Sequence, residues 1–223
     1  MHRLRRDGVA LAYEEAGSGA PPILLVHSLA SDHSCFAPQF EHFRRGHRTV
    51  AVDLRGHGQS GKPRQAYTIA VLADDLAWLC YELGLYRPVV LGHGLGAMVA
   101  LDLAARYPDL PIGIVAVTPA PSSSATPLAL PQHVAAPLLR SISSWDRAAA
   151  TPACAVPVLL IALGANEVTP DDRREMGPHP PAWLGDDDSR DGEMTVPVEV
   201  NPLVDAFVSG RATRASPDPR LPT

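Results

Sequence analysis

Short apolar runs bounded by glycine, proline or charge constrain this chain most: PPILLV, RTVAVD, RPVVLG, IGIVAV and VPVLLIAL. Each is too short for a core helix, rich in Val, Ile and Leu, and apolar on both sides, so as a strand it must be covered on both faces. Helical periodicity lies between them. Over residues 67–83, Ile69, Leu72, Leu76, Leu79, Cys80 and Leu83 recur at helical steps, Asp74, Asp75 and Glu82 fall on the other face, and Gly84 stops the run. Further helices are expected over 36–45, 95–107 and 201–210, and an alternating strand over 9–15. Strands alternating with helices specify an α/β fold, a mostly parallel central sheet flanked by helices. We expect a single domain over 1–210 and a disordered, proline-rich tail over 211–223.

A chain of 223 residues with 46% hydrophobic and 19% charged residues can bury one core. Its net charge of −5 is mixed along the chain with no basic stripe, which argues against nucleic acid. The start, MHRLRRDGVALAYEEAG, has no apolar stretch of signal-peptide length. The longest apolar region, 89–105, is broken by Gly92, His93, Gly94, Gly96 and Asp102, so no membrane span is expected. Cys35, Cys80 and Cys154 are odd in number and far apart, as buried free thiols of a cytoplasmic protein would be. The 23 prolines cluster over 118–137, 170–202 and the tail, which are read as loops or short helix starts.

In such sheets ligands sit beyond the carboxyl ends of the strands, here the loops after residues 26, 53, 92, 117 and 163. VVLGHGLGAM, residues 89–98, is a strand, a glycine-rich turn and a helix. A turn that presents a nucleophile needs tiny residues two before and two after its centre. Gly92 and Gly96 meet that need, yet the centre is Gly94, which has no side chain. Gly92, Gly94 and Ala97 also satisfy the G-x-G-x-x-A dinucleotide pattern. That loop would follow the first strand rather than about the fourth, and the acidic residue is misplaced: the next strand ends at Thr118, and Asp109 precedes it. No cofactor is expected.

LLVHSLASDHSCFAPQF, VAVDLRGHGQSGKP and ADDLAWLCYELGLYRPVVLGHGLGAMVALDLAARYP together resemble the core of an α/β-hydrolase of the esterase and lactonase branch. The resemblance resumes at WDRAAATPACAVPVLLIA and VPVEVNPLVDAF. It implies a serine at position 94, an acid in GANEVTP and a histidine shortly before VPVEVN. Gly94 stands at the first position, Glu167 is the acid candidate, and Arg190 stands at the third, where an always-charged guanidinium cannot act as a base. His179 lies between prolines, well upstream. The implied oxyanion donors are the backbone amides of Leu29 and Leu95, with His27, Ser28 and His93 around them; Ser28 replaces a glycine. The stretch 118–156 implies a truncated cap.

Each remaining candidate has a plainer reading. His93 packs under the turn, His57 braces RGHG, and Asp53 caps or orients that same turn. His27, His33, His42 and His47 lack metal-ligand spacing and a partnered carboxylate, so no metal is expected. Trp78 and Leu79 belong to the core or an interface, and Asp186, Asp187 and Asp188 to a solvated loop. The expected function is that of a catalytically degenerate serine-hydrolase homologue, a pseudoenzyme that retains binding of a small ester, lactone or carboxylate. Ester or lactone hydrolysis through a relocated group such as Ser28 or His179, and dinucleotide binding, are the alternatives.

Overall fold

The computed structural model describes residues 1–117, 130–145, 154–162, 182–183 and 196–212. Asp7 and Gly8 both take positive φ, 49° and 80°. This turn suits the strand twist and folds β1 (His2–Arg6) antiparallel onto β2 (Val9–Ala16). β1 escapes a reading based on apolar runs because HRLRR is mostly polar; the Asp-Gly pair was its one signal.

Next come β3 (Ile23–Val26), a 3-10 turn (His33–Phe36), α1 (Ala37–Phe43), β4 (Thr49–Asp53), α2 (Ile69–Leu83), β5 (Val89–His93), α3 (Leu95–Arg106) and β6 (Gly113–Val117). α4 (Gln132–Ser143), β7 (Val158–Ala162), the two-residue β8 (Ala182–Trp183) and α5 (Val200–Ala212) follow. The sheet order is β1-β2-β4-β3-β5-β6-β7-β8. β2 pairs antiparallel with β4, and every pairing from β4 to β8 is parallel. Val26 pairs with Val52 and with Gly92, and Gly92 pairs with Ala116. β3, β4, β5 and β6 therefore end side by side, and their following loops share one edge.

Successive residues of a strand feed opposite cores, as period-two geometry requires. Leu24, Val26, Val90, Ile114 and Ala116 pack with α2, α3 and α4, while Ile23, Leu25, Leu91, Val115 and Val117 pack with α1 and α5. α2 is capped by Thr68, whose Oγ1 accepts from Val71 N at 3.2 Å, and stopped by Gly84 at φ 59°. α5 runs to Ala212, two positions past the expected helix end at 210.

One expectation is corrected and another is sharpened. Asp75 is not on a solvated face; it is 3% exposed. Its carboxylate takes Arg55 Nε and Nη2, each at 2.7 Å, so charge pairing draws it inward. Of the two readings of 118–137, loop or short helix start, the segment after Pro131 takes the second, and the helix it starts, α4, runs for twelve residues. Val134, Leu138 and Ile142, spaced four apart, are buried in the core, and this stripe outweighs the backbone donor lost at Pro137.

Candidate functional site

The turn between β5 and α3 is set by backbone crowding. A Cβ on Gly92 would lie against the Gly96 carbonyl and 2.6 Å from Ala97 N; one on Gly96 would lie 2.6 Å from the Val26 carbonyl carbon and 2.7 Å from His27 O. Only glycine fits either position. Gly94 sits at φ 52°, ψ −115°, a conformation costly for residues bearing a Cβ. Its N–H donates to Val117 O at 3.0 Å, and its carbonyl accepts from Ala97 and Met98 N at 3.1 and 3.2 Å. Gly92 and Gly96 thus serve chain crossing within the fold, beside a strand in the middle of the sheet.

Residue 28, two positions past the end of β3, faces this turn. A Cβ built on Gly94 would collide with Ser28 Oγ and lie 3.1 Å from Ser28 Cβ. The Ser28 carbonyl accepts from Ser31 N at 3.3 Å, closing a turn in which Ala30 has φ 59°. Among the described residues, neither Leu29 N nor Leu95 N donates a hydrogen bond elsewhere. Leu95 opens α3, where the first amides have no partner within the helix and the helix dipole favours negative charge.

Three imidazoles support these loops, His27 and His57 buried and His93 half-buried. His27 is fully buried; its Nε2 accepts from Leu54 N at 3.0 Å and its Nδ1 donates to Ser28 O at 2.7 Å. Both ring nitrogens are committed, so His27 braces the loop after β3 against the turn after β4 and is not a free group. Burial lowers its pKa. His57 lies with its ring centroid 5.0 Å from that of His27 and donates from Nδ1 to Arg55 O at 3.1 Å. Burial and then His27 push its pKa down to about 3, and that of His93 to about 4. Neither His57 Nε2 nor His93 Nδ1 has a hydrogen-bond partner among the described residues.

Asp53 does orient its turn: Oδ2 accepts from Gln59 N at 2.7 Å, and Ser60 Oγ donates to Asp53 O at 2.5 Å while accepting from Ala12 N at 2.8 Å. Histidines with carboxylate partners are present, contrary to expectation, because the partners come from distant sequence. His33 Nδ1 lies 2.7 Å from Asp53 Oδ1, and His42 Nε2 lies 2.8 Å from Asp205 Oδ2. Asp32, His33 and Asp53 bring potential ligand atoms within 4.8 Å of one another. Asp53 Oδ1 also accepts from His33 N at 2.8 Å, and Asp32 Oδ1 takes Ser34 N at 2.9 Å and its hydroxyl. The facing oxygens are engaged, and the cluster serves as a brace between the loops after β3 and β4.

The structure therefore brings together His27, Ser28, Leu29, His93, Gly94 and Leu95. Glu167, His179, Asp186, Asp187, Asp188 and Arg190 lie outside the described residues, as does Thr118. Sequence reasoning missed the Ser60 bridge and the Arg55–Asp75 pair; their signal was the polar residues inside and after DLRGHGQS.

Residues 21–171 match the model of a family described as alpha/beta hydrolase fold. The 2-(acetamidomethylene)succinate hydrolase of Mesorhizobium japonicum is 38% identical over 109 residues, which cover 49% of this chain and 39% of that protein. Mouse epoxide hydrolase 4 is 32% identical over 124 residues, 54% of this chain and 34% of that protein. This chain thus aligns with well under half the length of these curated relatives. The solved structure of a thermophilic esterase from Thermogutta terrifontis superposes with a TM-score of 0.75 at 21% identity, covering 96% of this chain and 99% of that one, a likeness of fold. No helix among the described residues is long and apolar enough to cross a membrane. With a matching family model over most of its length, a central turn of this geometry and a parallel sheet in this order, the chain belongs to the alpha/beta hydrolase fold family.

Proposed function

We propose that this protein is a binding member of its family, a pseudoenzyme that holds a small carboxylate, ester or lactone at the amides of Leu29 and Leu95 without forming an acyl-enzyme at the turn. The observation that carries this reading is Gly94: the turn keeps its conformation, and its centre offers no oxygen. Backbone donors do not depend on side chains, so a cradle for a carbonyl or carboxylate oxygen survives loss of the nucleophile. Removing the triad from serine hydrolases leaves ~10³ to 10⁴-fold catalysis over water, from the oxyanion donors and binding alone. A succinate derivative as substrate of the Mesorhizobium relative supports succinate as a first ligand to try. Glu167 at the acid position and Arg190 at the histidine position complete the reading of a degenerate triad in a cytoplasmic protein. A short cap over 118–156 fits an open pocket; the helix described there, α4, buries its apolar stripe in the core.

The test pairs binding with labelling. Succinate and γ-butyrolactone are expected to raise the melting temperature of the pure protein. A fluorophosphonate probe should leave every serine unlabelled, and p-nitrophenyl acetate should show no acyl burst. Covalent labelling of a serine together with ester turnover would make the protein an active hydrolase through a relocated group and end this reading.

A further inference from the structure

We infer that Ser28 and Gly94 have exchanged roles, so that the Ser28 hydroxyl fills the space of the missing side chain at the turn and is the polar group a ligand meets there. This rests on the binding reading above and names the side chain that would complete that site.

The two departures from the family pattern, serine at 28 and glycine at 94, meet at one point. β3 and β5 are adjacent and in register, Val26 opposite Gly92, so the residues just beyond their ends face each other. A Cβ at 94 would collide with Ser28 Oγ and crowd Ser28 Cβ at 3.1 Å. Neither backbone yields easily. Ser28 O is held by His27 Nδ1 at 2.7 Å and by Ser31 N at 3.3 Å, and Gly94 N is tied to Val117 O at 3.0 Å. A serine at 28 in this rotamer therefore requires glycine at 94.

Ser28 is 8% exposed, and its hydroxyl makes no hydrogen bond among the described residues. A hydroxyl so placed, beside the unused amides of Leu29 and Leu95, can donate to a carbonyl or carboxylate oxygen. The nearest imidazole in sequence, His27, already uses both nitrogens, and among the described residues no imidazole hydrogen-bonds to the Ser28 hydroxyl, so no base is in place to take its proton. Its role is an anchor, not a nucleophile.

The experiment is a double-mutant cycle with a binding arm. Urea midpoints are measured for the parent, Ser28→Gly, Gly94→Ser and the double variant. Gly94→Ser is expected to lower the midpoint, and Ser28→Gly to recover a substantial part of that loss in the double variant. Additive effects would overturn the shared-space half. Succinate binding is then measured for the parent and for Ser28→Ala, a change small enough to keep the fold. A loss of tenfold or more is expected; unchanged affinity would overturn the anchor role while leaving the binding reading intact. A parent that binds neither succinate nor γ-butyrolactone removes the binding reading and the anchor together, and the stability cycle still decides the shared space. Fluorophosphonate labelling of Ser28 would replace the anchor by a nucleophile and so overturn it.

Discussion

Asp75 on α2 grips Arg55 through two parallel hydrogen bonds of 2.7 Å, and the two residues are 3% and 8% exposed. The pair fastens the turn after β4 to the helix that covers it. Removing one member leaves the other charge buried and unpaired, so Asp75→Ala should cost about 3–5 kcal/mol. Chemical denaturation checks this. The double change Arg55→Met with Asp75→Leu should cost far less, because it leaves no buried charge behind.

The buried imidazoles make stability fall with acid. His57 and His93 have folded pKa values of about 3 and 4, and that of His27 is lowered too, against about 6.5 in an unfolded chain. Below pH 6.5 the unfolded chain takes up protons that the folded one refuses. The stabilisation is thus present above pH 6.5 and lost as pH falls towards the folded values. Each fully buried ring should contribute about 1.4 kcal/mol per pH unit in that window. Urea midpoints at pH 7, 6 and 5 would show it, and His57→Asn should flatten the slope.

Gly96→Ala tests the crowding at the turn. The added Cβ meets backbone of Val26 and His27, which cannot swing aside. A loss at the upper end of about 1–3 kcal/mol is expected, read from the melting temperature. The same change at Gly46, where an added Cβ meets nothing within 4 Å, should be nearly neutral.

The thiols should be silent. Burial pushes Cys35 and Cys80 up to about 12 and Cys154 to about 11, so little thiolate exists at pH 8. A thiol-reactive dye should register almost nothing in the native protein and all 3 cysteines after denaturation.

The sequence announced those features whose cause is local. The turn at 92–96 was legible because chain crossing demands Gly92 and Gly96 whatever else the site does. The central strands and α2 were legible because each carries its own apolar period. The polar framework was not. Asp75 looked solvated until Arg55, far away in sequence, folded against it, and His33 and His42 found Asp53 and Asp205 the same way. α4 was hidden because its prolines speak against a helix and its three-residue stripe is spread over twelve positions. The contact between Ser28 and Gly94 arises only when two strands align, so in sequence the side chain lost at 94 and the hydroxyl gained at 28 stood as two separate departures.

α5 closes the sheet face that α1 begins. Gln39 Nε2 donates to Val196 O, Pro197 O and Asn201 Oδ1 at 3.2, 3.0 and 3.1 Å, while Val200, Val204 and Val208 complete that core. A ribosome making this chain delivers those valines only after the strands they cover. The opposite side, with α2 and α3, can consolidate while synthesis continues, whereas the surface bearing Ile23, Leu25 and Val115 has only α1 to shelter it until α5 emerges. That interval is when a nascent copy is most exposed to sticking to its neighbours.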